Sequence, residues 1–225
     1  MRVILFGATG MVGQGVLREV LLDPEVSHVL SIGRKPLPQK DRKLSELLLD
    51  DMFEVASVAS QLTGYDATFF CLGVSAVGLD EAGYRRVTFD LTLAAAGTLV
   101  ANNPGMTFIY VSGAGTDTTT QGRTMWARVK GATENALLQL PFRAAYMFRP
   151  GYIQPLHGAR SRTPRCDRLY RVVGPTYPLL KLVLGNHVTT TEQVGRAMIQ
   201  VAKLGAPKTI LDNRDINAIA EASRL

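Results

Sequence analysis

The sequence predicts an α/β fold, an open and doubly wound parallel sheet with helices on both faces in three layers, α/β/α. Residues 3–6 form an uninterrupted apolar run that ends at glycine, which is typical of a strand buried on both faces. The apolar positions then change to helical spacing at Val12, Val16 and Val20. Strand and helix patterns continue to alternate along the chain, and such alternation requires right-handed crossovers and hence parallel strands.

The predicted elements follow in order along one domain of 225 residues. The first helix ends before Asp23-Pro24, because proline lacks the amide donor that a helix needs. Further strands are predicted at residues 28–32, 47–49, 67–72, 107–111 and 144–148, and helices at 54–61, 80–102 and 123–140. A helix opening at 189–192, an edge strand at 208–211 and a final helix from 212 or 213 close the same domain.

Three glycines follow the first strand at three-residue spacing, namely Gly7, Gly10 and Gly13. Gly7 permits a tight exit from the strand, Gly10 lets a pyrophosphate approach the backbone, and Gly13 lets the helix pack closely against the strand. The helix that begins here offers unpaired N–H groups and the positive end of its dipole. Strand, glycine turn and helix in this order predict a phosphate-binding turn.

Basic residues follow the second predicted strand. Ligands of such sheets bind at the carboxyl ends of the strands, where an acidic residue usually meets a ribose 2′-hydroxyl. No acidic residue lies between Val29 and Lys40, and Arg34 and Lys35 stand there instead. A guanidinium can hold a 2′-phosphate through a forked pair of charge-assisted hydrogen bonds, which favours NADP(H) over NAD(H). Asp50 or Asp51, after the third strand, could accept a hydrogen bond from an adenine amino group.

The composition is that of an ordinary globular protein, with 46% hydrophobic and 20% charged residues. A net charge of +6 suits anionic ligands and does not indicate a specific nucleic-acid partner. The two cysteines form no disulfide framework, and the apolar stretch at 179–184 is too short to cross a membrane, so we expect a cytoplasmic protein. The three scattered histidines suggest no metal site.

Several motifs together resemble those of the atypical short-chain dehydrogenases/reductases (SDRs), and within them the Tat-interactive oxidoreductase-like group. They are Gly7-Ala8-Thr9-Gly10-Met11-Val12-Gly13, Phe70-Cys71-Leu72-Gly73, Val111-Ser112-Gly113, Val129-Lys130-Gly131 and Phe148-Arg149-Pro150-Gly151. The resemblance covers the first two-thirds of the chain and implies a Rossmann-type fold that binds NADP(H). It implies that the cofactor contacts Gly7, Gly10, Met11, Val12 and Gly13 at the pyrophosphate and Arg34 and Lys35 at the 2′-phosphate. Leu72 and Gly73 would lie beside the adenine ribose, and Pro150 and Gly151 near the nicotinamide. We also expect Thr9 among the cofactor contacts and Lys130 at the hydroxyls of the nicotinamide ribose.

The catalytic residues of the family are only partly present. Its usual site has a serine after the fifth strand and a tyrosine followed four residues later by a lysine, which lie on one helix face so that the lysine lowers the tyrosine pKa. Ser112 and Lys130 match the serine and the lysine, but Trp126 stands where the tyrosine would be. An indole N–H donates a hydrogen bond and has no proton to give near neutral pH. Tyr152, after Pro150-Gly151, is an open candidate for the acid, whereas Arg123, Tyr84 and Tyr110 are weaker substitutes.

In the related fold, residues 151–187 form a small substrate-side segment that covers the cleft. Here residues 157–171 carry five arginines opposed by Asp167 alone, together with Cys166, which fits either an anionic small-molecule substrate or a solvated loop. Three functions therefore compete: an NADPH-dependent reductase of a small carbonyl or enone, a cofactor-binding regulator that has lost the chemistry, and an isomerase or dehydratase of an anionic substrate. The sequence leaves the substrate open, as well as the choice between monomer and homodimer.

Overall fold

The structure, a computed structural model, describes residues 1–161, 167 and 185–222. A parallel sheet of seven strands forms its centre, in the order β3-β2-β1-β4-β5-β6-β9. The strands are β1 (Arg2–Phe6), β2 (His28–Gly33), β3 (Leu44–Leu48), β4 (Ala67–Phe70), β5 (Thr107–Val111), β6 (Ala144–Arg149) and β9 (Ile210–Asp212). This confirms the predicted doubly wound α/β fold of three layers, and the strand order reverses its direction between β1 and β4.

Helices cover both faces of the sheet. They are α1 (Met11–Leu22), a 3₁₀ segment (Met52–Leu62), α2 (Glu81–Arg85) with a π-helical turn (Arg86–Asp90), α3 (Leu91–Asn102), α4 (Met125–Leu138), α5 (Thr191–Leu204) and α6 (Asn213–Ala222). The side chain of Thr190 accepts a hydrogen bond from the amide of Gln193 and so caps α5, as the threonine run predicts.

The core lies on both sides of the sheet because successive strand residues point to opposite faces. In β1, Val3 and Leu5 pack into the cluster beneath α1, α5 and α6, whereas Ile4 and Phe6 pack into the cluster beneath the 3₁₀ segment, α3 and α4. All four side chains are fully buried. The uninterrupted apolar run at the start of the chain is thus the consequence of a strand covered on both faces.

Several boundaries differ from the sequence-based expectation. The third strand covers Leu44–Leu48 rather than 47–49, since it pairs with β2 along residues 29–33. The short helix predicted at 54–61 is a 3₁₀ segment with non-helical dihedrals at Glu54 and Val58. The fourth strand ends at Phe70, two residues early, where the backbone closely approaches Gly7.

A second small sheet, absent from the sequence-based prediction, pairs β7 (Tyr152–Gln154) with β8 (Val188–Thr190) in parallel. Each strand has only three residues, too few for an alternating pattern to be recognised. This sheet joins the end of β6 to the start of α5. The described residues at the two ends of the predicted 151–187 segment therefore lie side by side.

Candidate active site

The glycine turn is built so that no side chain fits inside it. Gly7 has φ +80°, and a Cβ there would lie 2.6 Å from the amide nitrogen of Leu72. A Cβ on Gly13 would lie 2.1 Å from the carbonyl oxygen of Gly7, which is far inside any contact that real Cβ atoms make. The amide of Gly10 donates to the carbonyl of Gly7 at 2.9 Å and closes the turn. Gly10 also precedes α1 without a side-chain cap, so no side chain occupies the helix N-terminus from that position.

A cleft runs along the carboxyl ends of the strands and begins beside β2. A cavity of about 400 Å³ is lined there by the glycine turn, the end of β2 and both predicted basic residues, Arg34 and Lys35. The two basic side chains are exposed, as groups that meet an anionic ligand from solvent would be.

The middle of the cleft is a cavity of about 480 Å³ that shares Gly7, Thr9, Arg34, Met52 and Leu72 with the first one. Its wall combines apolar side chains with two carboxylates, and the residues are Gly10, Asp50, Asp51, Met52, Phe53, Cys71, Leu72, Gly73, Val74, Ser75, Val87 and Leu91. Asp51 accepts a hydrogen bond from the amide of Phe53 at 2.9 Å and caps the 3₁₀ segment. One of the two predicted adenine contacts thus already has a structural task, although both Asp50 and Asp51 are exposed beside this cavity.

The third cavity, of about 570 Å³, continues from the second and is lined by the predicted catalytic residues Ser112 and Lys130. It is lined by Gly10, Met11, Val12, Leu72, Gly73, Ser112, Lys130, Pro150, Gly151 and their neighbours. The loop after β6 is held in place because the amide of Ala114 donates to the Pro150 carbonyl, and the amide of Gly151 donates to the Asn213 side chain, each at 2.8 Å. The three cavities together bring the separate sequence motifs to one continuous cleft.

Ser112 and Lys130 meet at the end of β5. The Lys130 ammonium donates a hydrogen bond to the backbone carbonyl of Ser112. Burial lowers the pKa of Lys130 to about 8, although the nearby Glu134 carboxylate acts in the opposite direction. An amine with this pKa exists in both protonation states near neutral pH, which suits it to proton transfer.

Glu134 is a residue of this site that the sequence-based reasoning missed. Its side chain is fully buried, accepts a hydrogen bond from the Ser112 hydroxyl, and forms an ion pair with Arg149. The Arg149 Nε atom lies 3.0 Å and 3.2 Å from the two carboxylate oxygens. The available signal was its spacing, since Glu134 follows Lys130 by four residues and so lies on the same face of α4.

None of the other candidates for the missing acid is among the described residues that line this cavity. The Trp126 ring lies against Gly115, 3.4 Å from where a Cβ of that glycine would be, and it is not among the residues that line the cavity. The Tyr152 hydroxyl donates to the Gln154 side chain at 2.8 Å, and burial raises the Tyr152 pKa. Tyr84 and Tyr110 are buried, and burial raises the pKa of both phenols.

The basic segment lies mostly beyond the described residues. Arg160 is exposed, and its backbone exchanges hydrogen bonds with the Gln14 side chain at 3.1 Å and 3.2 Å. Arg162, Arg165, Cys166, Arg168 and Arg171 lie outside the part of the chain that the structure describes. Within residues 1–161, 167 and 185–222, no group of three or more His, Cys, Asp or Glu side chains could hold a metal ion. Nor does any helix in those ranges have the length and apolar character needed to cross a membrane.

Relatives of the chain in sequence match about two-thirds of its length. Protein HTATIP2 of Rattus norvegicus is 28% identical over 153 residues, which are 67% of this chain and 62% of that protein. Protein fmp52, mitochondrial, of Emericella nidulans is 31% identical over 160 residues, which are 67% of this chain and 66% of that protein. The chain therefore matches less than two-thirds of the length of these relatives. No family model matches it.

Solved structures of similar fold include short-chain dehydrogenases/reductases. The YIR035C short-chain dehydrogenase/reductase from Saccharomyces cerevisiae has a TM-score of 0.67 at 15% identity, and 98% of each chain is covered. The enzyme WbmF of Bordetella bronchiseptica, in complex with NAD+, has a TM-score of 0.67 at 15% identity over 99% of this chain and 78% of that one. A short-chain dehydrogenase from Burkholderia cenocepacia, in complex with NADP, has a TM-score of 0.65 at 14% identity over 99% and 93%.

The ordered motifs, the parallel sheet that brings them to one cleft and the relatives in sequence and fold agree with one another. The chain belongs to the short-chain dehydrogenase/reductase family, within its atypical branch of NAD(P)-binding Rossmann proteins.

Proposed function

We propose that this protein binds NADP(H) in the cleft and acts as an oxidoreductase on a small substrate. The observation that carries the proposal is the continuity of the three cavities, which connect the basic residues after β2, the glycine turn and the Ser112–Lys130 pair. The relatives in fold that were solved with NAD+ or NADP support a nicotinamide dinucleotide as the ligand. The turn fits such a group, because Gly7 and Gly10 line the cavities and no side chain at Gly7 or Gly13 could be accommodated without a collision with backbone.

The chain's own residues divide the tasks of binding. Gly7, Gly10 and Gly13 hold the pyrophosphate at the N-terminus of α1, with Thr9, Met11 and Val12 beside it. Arg34 and Lys35 bind the 2′-phosphate, and Asp50 and Asp51 lie at the adenine end. Leu72 and Gly73 contact the ribose, and Pro150 and Gly151 lie beside the nicotinamide. When bound, the cofactor would supply two electrons and a hydrogen to the substrate carbon.

Arg34 tests the preference for NADP(H). Removing a guanidinium that binds the 2′-phosphate by charge-assisted hydrogen bonds costs about 1.5–3 kcal/mol, or roughly tenfold to a hundredfold in affinity. We expect Arg34→Ala to lose that affinity for NADPH and to bind NADH as the parent protein does. Arg42→Ala is the control, because Arg42 is also exposed near β2 but lines none of the three cavities.

The readout is the fluorescence of Trp126, the chain's only tryptophan, together with that of the reduced nicotinamide. We expect the parent protein and Arg42→Ala to bind NADPH tightly and NADH weakly. In Arg34→Ala the affinity for NADPH should fall towards that for NADH. If neither nucleotide binds the parent protein, the proposed function is wrong. Equal losses in the two arginine variants would show that the effect is one of net charge and not of a 2′-phosphate site.

A second candidate is a regulator that senses NADP(H) without turning it over. The observation that favours it is Trp126 at the position of the family's tyrosine, packed on Gly115. Lys130→Ala distinguishes the two functions. Loss of turnover supports the enzyme, whereas weakened nucleotide affinity with unchanged partner binding supports the sensor. An isomerase or dehydratase of an anionic substrate is the third candidate, which rests on the arginines after β7.

A cytoplasmic location and a monomeric or homodimeric state stay predictions. The fmp52 relative carries the word mitochondrial in its name, so fractionation of cells that express a tagged full chain is the direct test of location. Sedimentation of the purified protein would decide the oligomeric state.

A further inference from the structure

The third cavity, which contains Ser112 and Lys130, has few described groups that could give a proton. Among the described residues that line it, Cys71 and Lys130 are the two that titrate. Burial holds the pKa of the Cys71 thiol far above its ordinary value, so that thiol keeps its proton. The indole at the family's tyrosine position has no proton to give near neutral pH. Lys130 is therefore the group in this wall whose protonation can change under working conditions.

The Ser112 hydroxyl donates its hydrogen bond within the protein, which determines whether it can donate to a substrate. Its oxygen is within hydrogen-bond distance of a Glu134 carboxylate oxygen and lies 3.2 Å from the Phe148 carbonyl oxygen. Both partners are acceptors, and a hydroxyl has one hydrogen, so the hydrogen of Ser112 points into the protein. A substrate in the cavity can then meet the lone pairs of Ser112 but not its hydrogen.

The Lys130 ammonium has further N–H groups that can donate to a substrate. Of its three N–H groups, the carbonyl of Ser112 takes one. The cavity opens at the same residues, so an oxygen placed beside Ser112 would also be within reach of Lys130. Glu134, four residues further along α4, supplies the negative charge that opposes neutralisation of the amine.

We propose that Lys130 is the proton donor to the substrate oxygen, and that Glu134, held by Arg149, is the positioning residue that keeps Lys130 charged and turns Ser112 into an acceptor. The inference rests on the proposed function. In the reduction of a carbonyl, the oxygen takes a proton from the Lys130 ammonium while the carbon receives a hydrogen and two electrons from the reduced nicotinamide dinucleotide. An alcohol, the oxidised dinucleotide and a neutral Lys130 amine result, and solvent returns the proton to the amine.

The surroundings of Lys130 contain other ionisable groups that must be taken into account. Glu134 on α4 and Arg149 on β6 form the buried ion pair. Tyr110 on β5 lies near Glu134 and near Tyr84 on α2, and burial raises the pKa of both phenols, so they stay neutral where Lys130 titrates. Across the cavity, Cys71 also stays neutral. Glu134 is therefore the neighbouring charge that acts on Lys130.

The test compares Glu134→Gln with Glu81→Gln. Glutamine keeps the shape of Glu134 and removes its charge. Glu81 on α2 is half-exposed and pairs with Arg128, which lies on α4 as Glu134 does, so Glu81→Gln is the matched control for loss of a carboxylate. Lysines are labelled by reductive ¹³C-methylation, which preserves their charge, and the Lys130 signal is assigned by its loss in Lys130→Arg. The signals are then titrated with pH in the protein without added nucleotide, and NADPH affinity is measured in parallel by Trp126 fluorescence.

We expect the Lys130 signal of the parent to titrate near pH 8, and that of Glu134→Gln to titrate lower by about one pH unit or more, as removal of a close opposite charge demands. Glu81→Gln should titrate as the parent does. Phenanthrenequinone serves as the carbonyl probe substrate in an assay with NADPH. The pH at which its turnover declines on the alkaline side should shift by the same amount as the pH at which the Lys130 signal titrates.

Two results would overturn the inference while leaving the proposed function intact. One is NADPH binding with a parent Lys130 that titrates near 10.5, the ordinary value for lysine. The other is a Lys130 titration that Glu134→Gln leaves unmoved. The first needs no variant at Glu134, so it remains decisive if that variant fails to fold. Absence of NADPH binding would overturn the proposed function and the inference with it.

Discussion

Gly13 offers the sharpest test of how the glycine turn is built. In Gly13→Ala the new Cβ would lie 2.1 Å from the Gly7 oxygen, 2.7 Å from the Gly7 carbonyl carbon and 3.0 Å from the Ala8 Cα. All three atoms are backbone, so no flexible side chain can move aside. The start of α1 must retreat from β1 by roughly 0.9 Å before the contact reaches even the shortest distance that real Cβ atoms show.

The magnitude follows from two opposing effects. Alanine gains about 0.5–1 kcal/mol over glycine in a helix, whereas forcing a methyl group into a closely packed site costs about 1–3 kcal/mol and more when backbone must move. We therefore expect a net loss of about 1–2 kcal/mol of unfolding free energy. Because the displaced N–H groups are those that would bind the pyrophosphate, NADPH affinity should fall by roughly tenfold or more.

Gly97→Ala is the matched control, since Gly97 lies within α3 and a Cβ there would meet nothing within 4 Å. It should gain about 0.5–1 kcal/mol and bind NADPH normally. Urea unfolding measures the stability of both variants, and Trp126 fluorescence measures the affinity. A Gly13→Ala protein as stable as Gly97→Ala, with unchanged NADPH binding, would refute the reasoning.

Three further predictions concern charge and packing. The pKa of Lys130 falls from 10.5 to about 8 on folding, so the charged amine lowers the free energy of unfolding below pH 8. This cost decreases as the pH rises from 8 to 10.5. The stability of Lys130→Met relative to the parent should therefore decline over the same pH range in urea titrations. Asn103→Ala should lose about 1–3 kcal/mol, because its buried amide joins three backbone groups at 2.6–3.2 Å, and Asn102→Ala, at a partly buried site, should lose less in the same assay. Gly195→Ala should lower the melting temperature, since its Cβ would lie 2.8 Å from the buried Glu19 side chain where α5 crosses α1; an unchanged melting temperature would contradict the close crossing.

The fold was predictable where burial leaves a strong local pattern. The runs at residues 3–6 and 108–111 are hydrophobic throughout because helices cover both faces of the sheet, and the structure places strands there. The third strand was misplaced by several residues, since an edge strand with half-buried and exposed positions carries a weak pattern. The three-residue strands β7 and β8 exist through their mutual pairing, which no local pattern encodes.

The site was predictable as a set of residues but not as an arrangement. Motifs at the ends of β1, β2, β4, β5 and β6 could be expected to converge, because the carboxyl ends of parallel strands share one edge of the sheet. Glu134 escaped notice because a glutamate within a helix is usually a solvated residue, and only the tertiary structure brings Arg149 and Ser112 to it.

By itself the sequence determined the order of strands and helices, the glycine turn and the residue types available for chemistry, because these depend on periodicity, backbone freedom and side-chain identity. The tertiary structure alone decided which way the hydrogen of Ser112 points and how strongly burial and Glu134 act on Lys130. It also decided that Trp126 packs on Gly115. Hydrogen-bond direction and desolvation depend on distances between residues far apart in the chain, and those distances exist only once the sheet has formed.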